Sequence, residues 1–275
     1  MNKSIKPARQ VGFSLLELLI AAAIFMVLCG AAFGLLAMSQ RSYQNESQLL
    51  TSFQEARLGL DQIVRDVDVS GYPPANQFAV GAPASSYAVA PFAWTPGYPV
   101  IPLSGQACSI GVAGGGTCTT PGDFDVIIET EIDPLKAAGV QWIRYQLQGT
   151  TLMRAVAPKV AGADPAATTA PLLTPFVQNV VNNSVGQIPK FQALYPSMFP
   201  GGAAVPIFSY VCDVDPSLSS VAQPCPAIGT YNSPQNIRDV EVTLIVMTPT
   251  PDPQTGQPRL VELNGRGRRV NPPNF

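Results

Sequence analysis

Histidine is absent from all 275 residues. Without an imidazole, Ser-His-Asp and Cys-His nucleophile arrangements are excluded, and with them most catalytic zinc sites. Charge is scarce too, since Asp, Glu, Lys and Arg make up 12 % of the chain. No C-x-x-C pair occurs among the five cysteines, which with the missing histidine argues against structural zinc. No basic residue stands between Arg9 and Arg41, and no proline interrupts residues 13 to 71. Between Arg9 and Arg41 Glu17 is the single formally charged side chain, with the thiol of Cys29 as the only other ionisable group.

Leu18 to Met38 is therefore a run of 21 residues with neither charge nor proline. At about 1.5 Å of rise per residue it reaches about 30 Å, the thickness of a bilayer's hydrocarbon core. Lys3, Lys6 and Arg9 precede it. By the positive-inside rule they predict a cytoplasmic N-terminus, with the residues after Arg41 delivered outside the cytoplasm. A carboxylate near the end of such a span carries a cost of about 2 to 3 kcal/mol or less, met by snorkelling, by a partner or by a function.

The arrangement Gly12, Phe13, Ser14, Leu15, Leu16, Glu17, Leu18, Leu19 resembles the N-termini of type IV prepilins and pseudopilins. Their leaders end in Gly before Phe, carry Glu at the fifth mature position and continue as one apolar helix. The resemblance implies cleavage between Gly12 and Phe13 by a prepilin peptidase, N-methylation of Phe13 by the same enzyme, and retention of the apolar run. An ordinary secretory signal would instead be cut after its apolar core. It also implies that Glu17 pairs with the Phe13 amine of a neighbouring pilin during filament assembly, so that the buried charge is neutralised only there. Implied partners are the lipid bilayer, other major and minor pilin subunits and an inner-membrane assembly platform, with no cofactor and no metal. The implied location is a single-pass inner membrane protein whose head lies in the periplasm before filament assembly.

On this reading residues 1–12 are a leader, 13–40 a transmembrane and filament-core helix, 41–71 an amphipathic helix that docks the head, and 72–275 the head. Removing Lys3, Lys6 and Arg9 from 16 basic residues leaves 13 against 18 acidic ones, a formal charge of −5. A mildly acidic chain has no general attraction to nucleic acid, and no nucleic-acid partner is expected. The 28 prolines are about twice the usual share, which predicts a loop-rich head.

Past the apolar run, Leu49, Phe53, Ala56, Leu60, Ile63 and Val67 recur at helical spacing with charged residues between them. The pattern predicts an amphipathic helix, with a coiled-coil seam as the alternative. Gly71-Tyr72-Pro73-Pro74 ends it. Residues Gln54 to Tyr72, with their Ala-Arg, Arg-Asp and Gly-Tyr pairs, also resemble the corresponding helix of PilW-like minor pilins and J-type pseudopilins of type II secretion. The Pro- and Cys-rich insertions depart from that pattern. Gly30 and Gly34 form a G-x-x-x-G pair, read either as a close-packing or melting point in the filament or as ordinary membrane-helix glycine.

Residues 73 to 121 are rich in Pro, Gly, Ala and Ser and predict a long ordered loop. Strands are expected at 124–130, 141–148, 151–156, 207–212 and 240–247, with weaker signals at 176–181 and 260–263 and a hairpin turn at Gly149-Thr150. One long helix followed by strands predicts an α+β pilin fold with an antiparallel sheet packed on the amphipathic half. Four cysteines in an exported head allow three pairings, and locality favours Cys108 with Cys118 and Cys212 with Cys225. Cys29 is expected to stay free. Asp123 with Asp125 and Asp213 with Asp215 alternate like calcium-loop carboxylates but lack the terminal Glu, so turn capping is the expectation. Gly114 to Gly116 is expected to be a flexible loop, and Arg266, Arg268 and Arg269 a solvated tail. No catalytic constellation emerges. A minor pilin or pseudopilin that primes filament assembly is the main reading; a tip adhesin or DNA-uptake subunit and a tethered hydrolase using paired carboxylates are the alternatives.

Overall fold

The computed structural model describes residues 14–98, 108, 110, 117–136, 139–213, 223–225, 233–252 and 255–270. Helix α1, Leu15–Asp68, is a single uninterrupted rod of 54 residues, about 80 Å long at 1.5 Å per residue. Its amphipathic half buries Ala56, Gly59, Leu60, Ile63, Asp66 and Val67, four of them from the predicted stripe. Leu49 and Phe53 are only half-buried. The helix stops at a Val69 cap, and Gly71 takes the left-handed conformation (φ 79°) that lets its N–H reach the carbonyl of Glu129 at 2.8 Å.

The head consists of antiparallel strands, giving the α+β arrangement expected of a pilin. Its strands fall into two sheets rather than one. The first follows the order β1 (Phe92–Ala93), β2 (Asp125–Thr130), β3 (Gln141–Gln148), β4 (Thr151–Pro158), β5 (Thr174–Val177). The second is ordered β7 (Gln223–Pro224), β6 (Phe208–Cys212), β8 (Ile237–Met247), β9 (Leu260–Arg268). The division is physical: β6 follows β8 only as far as Val242, and beyond it the chain just after β5 takes over the same edge. Met247 N–H donates to the Asn179 carbonyl and Val181 N–H to that of Ile245, at 2.9 and 2.8 Å. Asn182 fills the step between them: its amide donates to the carbonyls of Val205 and Thr243 and accepts from the Ile245 N–H.

The hairpin β3–β4 turns at Gly149-Thr150, with Gly149 at φ 60°. The weak strand at 260–263 proves to run five residues further, to Arg268, through Gly265 and Gly267. They are contact points. A Cβ on Gly265 would come within 2.8 Å of Leu60 Cδ1, and one on Gly267 within 2.7 Å of Val67 Cβ, so bare backbone lets α1 lie directly on β9. Two short helices, α2 (Pro165–Thr169) and α3 (Ile188–Leu194), complete the head. Phe191 and Phe199 of the α3 layer pack on Ile245, whereas its neighbours Leu244 and Val246 face the core shared with α1. The α3 layer thus covers the face of the second sheet turned away from α1.

Arg266, Arg268 and Arg269 are not a solvated tail. Arg266 and Arg268 belong to β9, and Arg269 is buried. Asp239, itself 1 % exposed, draws Arg266 to 2.5 Å, and Asp213 holds Arg269 at 2.5 Å. The turn-capping expectation for Asp125 and Asp213 fails for the same reason, since both are engaged in ion pairs with arginines. Asp215 and Gly114 to Gly116 lie outside the described residues.

Candidate assembly and anchoring site

From Leu15 to Glu55 no residue of α1 is buried, and among the described residues the most N-terminal hydrogen bond between α1 and the head runs from Thr250 to Gln48. Below that point side chains that ordinarily form cores face outward: Leu15 is 78 % exposed and Phe25 66 %. An 18-residue window there has a mean hydropathy of 2.6 and buries nothing within the chain. So large an apolar surface on a helix without breaks is long and apolar enough to cross a membrane, and it demands an apolar surrounding from outside the chain.

Ser14 caps this helix. Its Oγ accepts from the Glu17 N–H at 3.2 Å, and the Glu17 carboxylate accepts from the Ser14 N–H at 3.0 Å. The Ser-x-x-Glu spacing is a capping box legible in the sequence. Within one chain, then, Glu17 already has a partner, and its carboxylate is placed one residue from position 13. Gly12 and Phe13, the expected cleavage and methylation positions, lie outside the described residues. Gly30 and Gly34 meet nothing: a Cβ on either would find no atom within 4 Å. They leave a shallow, open stretch of backbone within the apolar surface. Cys29 beside them is a free thiol.

Charge in the head is handled by pairing. Glu129 on β2 and Lys159 just after β4 meet at 2.5 Å with side chains 0 % and 1 % exposed. Around them Tyr98 donates to Glu129 at 2.7 Å, the Val89 N–H donates to it at 2.7 Å, and Lys159 also reaches the Tyr87 carbonyl at 2.8 Å. Burial lowers the Lys159 ammonium from its ordinary value, with Glu129 opposing. This pair nails the Pro-rich loop to the first sheet, and spacing in the sequence had not disclosed it. On β2, Asp125 takes a bidentate grip from Arg144 at 2.9 and 2.5 Å; burial nevertheless raises its carboxyl. Disulfides join Cys108 to Cys118 and Cys212 to Cys225, the two local pairings. Among the described residues no three His, Cys, Asp or Glu side chains converge as a metal cage would need.

No curated protein and no solved structure matches the chain. Residues 8–33 match the family model described as the prokaryotic N-terminal methylation motif, and with the bare apolar helix that continues from it this indicates a type IV pilin- or pseudopilin-like precursor.

Proposed function

We propose that the protein is a minor type IV pilin, most like the PilW-like group, that acts in priming filament assembly and carries out no catalysis of its own. Prepilin peptidase cleaves between Gly12 and Phe13 and methylates the new amine. The chain waits in the inner membrane with its N-terminus in the cytoplasm and its head in the periplasm. An assembly platform then moves it into a filament of major and minor pilins, where the apolar half of α1 exchanges lipid for neighbouring helices. The observation that carries the reading is the length of α1 from Leu15 to Ser47, with no residue of it buried by the chain's own head.

Glu17 sets register in this scheme. In the single chain its carboxylate is occupied by the Ser14 N–H, a neutral donor. A methylated Phe13 amine from the neighbour offers a charge-assisted bond instead, which is stronger. Glu17→Ala therefore leaves membrane insertion and leader cleavage intact and abolishes incorporation into filaments, measured by shearing filaments from cells and detecting the variant. Normal incorporation of Glu17→Ala would overturn the assignment. Co-purification with intact pili, rather than with a secretion machine, distinguishes the minor pilin from a pseudopilin of type II secretion.

A further inference from the structure

Between Asp164 and Asp213 there are 48 residues with a single charged side chain, Lys190. They include β5, α3 and the layer around α3, whose outward residues include Val185, 70 % exposed, and Leu194, 48 % exposed. The part of this stretch that forms the α3 layer carries no carboxylate and presents Lys190 among partly apolar residues, while Glu262 of β9, the register partner of Ile245, lies exposed beside it on the same sheet face.

Its position along α1 follows from contacts. The C-terminal end of β8 leads to Thr250, which bonds Gln48, while the other end of β8 pairs Asp239 with Arg268, whose N–H bonds Asp68. The α3 layer packs on Ile245, Met247 and Leu260, and the Tyr195 hydroxyl bonds the Pro258 carbonyl. It therefore occupies the end of the head nearest the apolar helix. From Met38 to Gln48 is ten residues, about 15 Å of helix, of which the headgroup layer takes about 5–7 Å. The α3 layer is separated from α1 by a sheet, about 20 Å at about 10 Å per packed layer, so an ordinary tilt of about 20° toward that side lowers it by about 7 Å. That leaves about 1–3 Å, which a side chain spans.

We propose that in the membrane-anchored chain the α3 layer rests on the headgroups of the leaflet from which α1 emerges. Val185 and Leu194 enter the interface and Lys190 lies over lipid phosphates. A carboxylate here would be repelled by anionic lipid, which accounts for the missing acids. The proposal rests on the anchoring reading above. Its consequence is a head held in one orientation before assembly, released only when the helix is drawn out.

The test uses the full chain in a Cys29→Ser background, reconstituted in vesicles of phosphatidylcholine and phosphatidylglycerol. A fluorophore is placed at Leu194→Cys, at Leu135→Cys, or at Leu36→Cys within the span. Leu135, 97 % exposed, follows β2, whose Thr130 bonds the Val69 carbonyl, so it marks the opposite end of the head. Headgroup spin-labelled lipid is expected to quench the Leu194 site several-fold more than the Leu135 site, and Lys190→Glu to reduce that difference. Equal quenching at 194 and 135 overturns the proposal and leaves the face to a neighbouring subunit. Failure of acyl-chain spin label to quench the Leu36 site removes the anchoring reading itself, and the proposal with it.

Discussion

The hydroxyl of Tyr145 on β3 donates a 2.5 Å hydrogen bond to Asp66 on α1, and Arg154 of β4 closes the triangle with bonds to both, at 2.9 Å to the hydroxyl and 3.1 Å to the carboxylate. Asp66 is 4 % exposed, and the charge the helix carries into the core is met by these two strands and by Gln62 of α1, whose amide donates to it at 2.8 Å. Burial and the adjacent carboxylate hold the Tyr145 proton firmly, which keeps the hydroxyl a donor. Tyr145→Phe is expected to destabilise the head by about 1–3 kcal/mol in urea unfolding. Combined with Asp66→Ala it should cost less than the sum of the two, since each removes the bond between Tyr145 and Asp66. Full additivity would mean the pair is not what fastens α1 here.

Lys159→Met strands Glu129 without a cation in a fully buried site, at a cost of about 3–5 kcal/mol, and adding Glu129→Leu should recover much of it. The pair also has a pH signature. Because the folded ammonium is shifted below its ordinary 10.5, the unfolded chain holds the proton more tightly in the window just under that value. Stability of the wild type relative to Lys159→Met should therefore rise as pH climbs toward 10.5. Urea midpoints taken from neutral pH upward read this directly, and a falling difference would contradict it.

Gly267→Ala places a methyl group 2.7 Å from Val67 Cβ and 3.1 Å from the Val64 carbonyl. Neither neighbour is a flexible side-chain end, so α1 has to lift off β9. A loss of about 1–3 kcal/mol is expected, with increased proteolysis within 56–67 as the visible sign. An unchanged thermal midpoint would show that the close approach is dispensable.

Asn182→Ala removes three hydrogen bonds at once from the step between the two sheets and leaves the buried Ile245 N–H without an acceptor. A cost of about 2–4 kcal/mol is expected, from an unsatisfied buried donor together with lost bonds. Hydrogen exchange at Ile245 should accelerate far more than at Val240, where β6 still pairs. Equal protection at both would remove Asn182 from its bridging role.

Replacing Cys212 and Cys225 by serine opens a loop of 13 residues in sequence separation, which in the chain-entropy model stabilises by about 3 kcal/mol. Unfolding of the variant under oxidising conditions should match that of the reduced wild type at this loop. A wild type insensitive to reductant would contradict the assignment.

Features that depend on neighbours in sequence were legible before the fold was seen. The stripe from Ala56 to Val67, the Gly149-Thr150 hairpin, the alternation of Val240 to Val246 and the proximity of the cysteines each rest on short separations. What escaped depends on groups far apart in the chain. Lys159 looks like an ordinary surface lysine until β2 brings Glu129 beside it, 30 residues away. Arg266 and Arg269 look like a tail until Asp239 and Asp213 require cations. Gly265 and Gly267 interrupt a strand pattern, and only the presence of α1 above them shows why a side chain is forbidden. Ser14 is the exception: its partner is three residues away, and the Ser-x-x-Glu pair was readable throughout.

The unbroken geometry of α1 also has a mechanical meaning. With no proline across residues 13 to 71, the stretch from Leu15 to Ser47 is a stiff shaft about 50 Å long with the head clamped near one end. On such a shaft each added residue advances the head by about 1.5 Å and turns it by about 100°. The azimuth of the head is thus encoded by the number of residues between Met38 and Gln48, and inserting a single alanine there would point the α3 layer in a different compass direction without altering one contact inside the head.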